Sequence, residues 1–145
     1  MLGRKNYTKE EFDNGKKAIQ RQLTSYRGLV DAAVGDKPDK STKAALDAFE
    51  SDFFNNMALV LDRRYVHRLS GKDYEGKDGN PLNELRLIVD SLLDHKGVMR
   101  SDKQIKLPPE QSVLGIDVGD TIKLTEDDFK KLCKAFFEEL KRRFL

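Results

Sequence analysis

Along most of this chain the hydrophobic residues recur at spacings of three, four and seven. After Thr8, the positions Phe12, Ile19, Leu23, Tyr26, Val30 and Ala33 share one helical face. Thr8 and Glu11 have the T-x-x-E spacing of a capping box, which satisfies free amides at a helix start. Gly35 supplies the stop. The stretch "GDKPDKST" follows as a loop, with Asp39 or Ser41 placed to cap a second, long helix. That helix is predicted over about 40–69, ended by Ser70 and Gly71. A third helix starts at Asn80 as cap, with Pro81 at the first position, where a missing N–H costs nothing. Its apolar face is Leu82, Leu85, Ile88, Val89, Leu92 and Leu93. His95 and Lys96 suit the negative end of its dipole, and Gly97 ends it. A fourth opens at Thr125 and Asp128 and runs to the end of the chain on Phe129, Leu132, Phe136, Phe137, Leu140 and Phe144.

From about 98 to 124 the period changes. "KQIKL" and "DTIKL" are short, β-branched and partly alternating, and Pro108, Pro109, Gly115 and Gly119 punctuate them. They read as two short paired strands with a turn of helix near "PPEQS". The expected fold is therefore mainly α: a four-helix bundle-like single domain over 1–145, with a small two-stranded β insertion before the last helix.

The second helix carries the densest charge. On a wheel at about 100° per residue, Leu46, Phe49, Phe53, Met57, Val60 and Leu61 form one face, extended sideways by Phe54, Ala58 and Tyr65. Glu50, Arg64 and Arg68 fall within this arc, Arg63 and His67 at its edge, and Asp62 points away. An unpaired buried charge is costly. Arg64 and Arg68 therefore need an internal acid (Glu84, Asp90, Asp94, Glu138 or Glu139), a route for their heads to water, or a bound anion that suits the guanidinium fork. Arg64, His67 and Arg68, with Glu84 nearby, are the candidate ligand-binding residues.

Other chemistry is thin. The "KST" at 40–42 lacks the preceding glycine and strand of a phosphate-binding loop. The loop "GKDYEGKDGN" misplaces the acids and glycine of a calcium loop. His67 and His95 are the only histidines, so no metal site is expected. Cys133, the single cysteine, adjoins an apolar stripe and excludes an intrachain disulfide. No G-x-S-x-G elbow and no other catalytic constellation can be written down. No cofactor is implied.

Composition narrows the classes further. At 145 residues the chain can bury roughly two thirds of its unfolded surface. Its 27 basic and 25 acidic residues nearly cancel, which disfavours nucleic acid as a partner. "MLGRKNYTKEEF" has no apolar run after its basic residues, and no segment approaches the ~20 apolar residues of a membrane span. A cytoplasmic protein without a signal peptide is expected.

The strings "NNMALVLDRRYVHRL", "GKDGNPLNELRLIVDSLL", "PEQSVL" and "GDTIKLTEDDF" resemble an uncharacterised family of small bacterial proteins of actinobacterial type with no assigned function. The resemblance covers most of the chain from about residue 46. It implies a bacterial, cytoplasmic, stand-alone domain and carries over no functional residue.

Three functional classes follow. The first is a small soluble non-enzymatic module that acts through protein contacts, with a homo-oligomer or another protein as partner. The wide apolar arc of the second helix and the phenylalanine-rich fourth motivate it. The second is an anion or small-ligand binder using Arg64, His67 and Arg68. The third is a weak nucleic-acid binder.

Overall fold

The computed structural model describes residues 8–37, 39–65 and 79–144. Four helices make up the fold: α1 (Lys9–Val34), α2 (Lys40–Arg64), α3 (Pro81–Asp94) and α4 (Glu126–Phe144). Each start is read from its cap. Thr8 accepts from the Glu11 amide at 3.0 Å while Glu11 reaches back to Thr8. Asp39 accepts from Thr42 N–H at 2.7 Å, and Asn80 from Asn83 N–H at 2.9 Å. Thr125 and Asp128 exchange the same pair of bonds at the start of α4, both at 3.1 Å. Gly35, at φ 55°, lies just past α1, where the positive φ favours glycine.

Aromatic contacts give the helix directions. Phe12, early in α1, meets Tyr65 at the end of α2 and Phe137 late in α4, edge to face. Tyr26, late in α1, meets Phe53 and Phe54. Phe54 in turn packs on Phe129 near the start of α4. So α1 runs antiparallel to both α2 and α4. A single core cluster draws on all four helices and takes Met99, Ile105, Ile122 and Leu124 from the long segment between α3 and α4.

That segment corrects one expectation. No β-strand exists among the described residues, so the two-stranded insertion is absent, and "KQIKL" does not pair with "DTIKL". What exists is a single antiparallel bridge, Val98 with Thr121, flanked by three bonds: Met99 N–H to Asp120 C=O, Gly119 N–H to Met99 C=O and Ile122 N–H to Gly97 C=O. The physical reason is that helix side chains take the backbone groups a ladder would use. Asn55 Nδ2 donates to Ile122 C=O at 3.0 Å, and its Oδ1 accepts from Leu124 N–H at 3.1 Å. Asn83 Nδ2 donates to Lys106 C=O at 2.7 Å. Within the segment itself, Asp102 accepts from Gln104 and Ile105 N–H. The expected helical turn near "PPEQS" is present as a 3₁₀ turn, Pro109–Gln111.

The face of α2 is also different from the wheel. Its buried residues are Phe54, Met57, Ala58, Leu61 and Asp62, continued by the cap Tyr65. Leu46, Phe53 and Val60 are only half-buried, and Phe49 is exposed. The buried positions of α2 begin only at Phe54, in its second half. Asp62 points inward, not away, and meets Arg86 Nη1 at 3.5 Å. The predicted continuation of α2 through 66–69 and the polar loop after it lie outside the described residues.

Candidate interaction surface

The surface begins with a length mismatch. α1 and α2 hold 26 and 25 residues, about 38 Å each, whereas α3 holds 14 and α4 holds 19, about 21 and 28 Å. The excess of α1 and α2 lies at one end. The N-terminus of α4 stops level with Arg27 of α1, which Glu126 binds, with Lys130 also 3.8 Å from its carboxylate. Glu50 of α2 accepts from Glu126 N–H at 3.1 Å and so caps α4 at the same level. Past this point the two helices run on as a hairpin. No described residue from 27 to 53 is buried.

Within the hairpin, Val30, Val34, Thr42 and Leu46 are half-buried. Their neighbours Gly28, Leu29, Ala32, Ala33, Ala44, Ala45, Ala48 and Phe49 are exposed. Leu29 and Phe49 keep 53% and 40% of their surface, which is high for side chains of their size. They stand beside a shallow depression of about 170 Å³ that they line with Gln22, Ser25, Tyr26 and Phe53. Its base is rigid. Tyr26 stacks on Phe53 and Phe49 with ring centroids 5.1 and 6.1 Å apart, and Phe54 closes edge-on at 4.7 Å. Burial, helped by the negative charge of Glu50 and Glu126, raises the Tyr26 phenol above its ordinary pKa.

The hairpin carries both signs of charge. Between residues 27 and 53 the bases are Arg27, Lys37, Lys40 and Lys43, and the acids are Asp31, Asp36, Asp39, Asp47, Glu50 and Asp52. A surface of this kind offers no one-signed field to a polyanion.

The residues singled out from the sequence lie elsewhere. Arg64 is exposed in the last turn of α2, so its charge needs no buried counter-ion. His67 and Arg68 lie outside the described residues. Glu84 is buried, and its carboxylate accepts from Ser112 Oγ at 2.8 Å, Val113 N–H at 2.7 Å and Leu114 N–H at 3.0 Å. Two of the other acids considered as arginine partners, Asp90 and Glu139, are engaged locally. Asp90 meets Arg86 Nη2 at 3.3 Å, and Glu139 meets Arg142 and Arg143, both at 2.5 Å. Burial raises the Asp90 carboxyl above its ordinary pKa in spite of Arg86. Cys133 is buried and free. Among the described residues, no helix is long and apolar enough to cross a membrane.

Sequence reasoning missed the hairpin. Its signal was present: two consecutive helices of matched length, with alanines at 44, 45 and 48 where a buried helix would carry larger residues. Comparison with protein-family models, with curated proteins and with solved structures finds no match, so the surface is read on its own chemistry.

Proposed function

We propose that this protein is a small non-enzymatic module that acts through protein contacts, and that its partner on the α1–α2 hairpin is a second copy of the chain. One observation carries the reading: 27–53 is helical on both arms yet holds no buried residue among those described. Two helices alone cannot enclose an apolar face, and helical pairs in stable domains gain a further layer. A second hairpin, docked across a two-fold axis, would complete a four-helix arrangement. The exposed alanines and Gly28 let backbones approach closely, and Leu29 and Phe49 supply the large side chains that anchor such contacts. The hairpin carries charges of both signs, so an identical surface can set bases against acids after rotation. On this reading the chain works as a stand-alone bacterial cytoplasmic protein, in line with the resemblance of its sequence and with a lone cysteine that needs no oxidising compartment.

Sedimentation velocity over a concentration series tests it, with Leu29→Glu and Phe49→Glu beside the parent. Both side chains are exposed in the monomer, so both variants should keep the parent's helical circular dichroism. The expected result is a concentration-dependent dimer that either substitution dissociates. A parent that stays monomeric at the highest attainable concentration overturns the proposal.

A further inference from the structure

The segment between α3 and α4 holds a cavity of about 860 Å³, within the size range of pockets that take small organic ligands. Its floor is Leu87, Met99, Ile105, Leu107 and Ile116, three of which are buried core residues. Its two walls are the strands of chain around 100–107 and 112–118, and both are tied to one helix. From α3, Asn83 holds Lys106 C=O, Glu84 holds the amides of Val113 and Leu114, and Ser91 Oγ accepts from Arg100 N–H at 3.0 Å. These are buried side chains, so the walls are fixed apart by bonds that are expensive to break. The gap between them is therefore a built feature. It leaves Val118 61% exposed at the mouth.

The rim has a sign. Arg100, Lys103 and Lys106 line it from one wall. Two acids, Asp102 and Asp117, share the lining, so its cations outnumber its acids by one; Asp102 turns Oδ1 to the Gln104 and Ile105 amides at 2.7 and 3.1 Å. An apolar floor beneath a rim whose three cations outnumber its two acids is complementary to one kind of molecule. We infer that the cavity between the 100–107 and 112–118 walls binds a small organic anion, with an alkyl or aryl body on the floor and a single anionic head against Arg100, Lys103 and Lys106.

Amide chemical shifts on titration with octanoate test this, with octanol as the uncharged body and sulfate as the bare anion. The expected result is saturable shifts confined to 99–118 for octanoate, with octanol and sulfate weaker by about tenfold or more, as befits losing either the charge-assisted contacts or the apolar burial. The double variant Lys103→Glu/Lys106→Glu, at two exposed positions, should weaken octanoate by a similar factor and leave octanol unchanged. Ile116→Trp, which fills the floor, should abolish both. Octanoate that binds no more tightly than octanol, or that binds the double variant as well as the parent, overturns the assignment. So does the absence of saturable shifts in 99–118.

Discussion

Gly15 of α1 and Tyr65 at the end of α2 occupy one another's space: a Cβ built on Gly15 would come within 2.7 Å of the Tyr65 ring carbon Cζ, and closer still to its hydroxyl. The hydroxyl uses that approach to donate to Phe12 C=O at 2.9 Å. Tyr65 is almost wholly buried and also packs edge-on against Phe12, Phe136 and Phe137. One missing side chain thus lets three helices close over one phenol.

The two α1 glycines should respond with opposite signs to the same substitution. Gly15→Ala forces Tyr65 aside and should cost about 1–3 kcal/mol, the usual range for overpacking. Gly28, which has nothing within 4 Å of its built Cβ, should gain about 0.5–1 kcal/mol as Gly28→Ala from the helix preference for alanine. Urea unfolding of the two variants checks both. Equal signs would contradict the packing described.

Tyr65 and Cys133 predict alkaline loss of stability. Burial pushes Tyr65 up from 10.0 to about 12 and Cys133 up from 9.0 to about 12. Each group therefore keeps its proton in the folded chain where the unfolded chain has lost it. Below the unfolded values the contribution is fully present. Above them the unfolded state binds fewer protons, so stability falls as pH rises toward about 12. Tyr26, also raised, acts in the same direction. The denaturation midpoint should decline across this window and decline less in Tyr65→Phe/Cys133→Ala. Consistent with its burial, the Cys133 thiol should react with a disulfide reagent only on unfolding.

Glu84→Ala removes the acceptor of three hydrogen bonds and leaves two amides and a hydroxyl behind it. A cost of about 2–5 kcal/mol is expected, the range for stripping a partner from a buried charged network. The cost should be visible locally. Hydrogen exchange at Val113 and Leu114 should rise before that of the α1–α2 pair, and unchanged protection there would show that the loop does not depend on Glu84.

Asn55→Ala should loosen the last approach to α4. It frees Ile122 C=O and the N–H of buried Leu124 at about 1–3 kcal/mol. Asn55→Asp keeps the acceptor for Leu124 but loses the donor to Ile122, so it should fall between parent and alanine variant in thermal unfolding.

The starts of the helices were legible because they are local. Thr8 with Glu11, Asp39 with Thr42, Asn80 with Asn83 and Thr125 with Asp128 each settle a cap within three residues, and no distant contact competes for those amides. A bundle of four helices follows from these boundaries and from the apolar periods between them. The segment from Val98 to Leu124 could not be read the same way. Its β-branched pairs look like strands, but their backbone groups are taken by Asn55, Asn83 and Glu84, which are 23–69 residues distant in sequence.

The orientation of α2 was equally out of reach. Its apolar residues surround most of the helix, so a wheel admits several faces, and the neighbours that choose among them are α1, α3 and α4. That choice turned Asp62 inward and left Phe49 outside. The candidate surface has the same origin, since a helix sequence records which residues are apolar but not how far its neighbours extend. By itself the sequence determined where helices begin, because N-caps and periodicity act over a single turn. Only the tertiary structure decided which faces are covered, which loops are pinned and what remains open, because those depend on groups brought together across the whole chain.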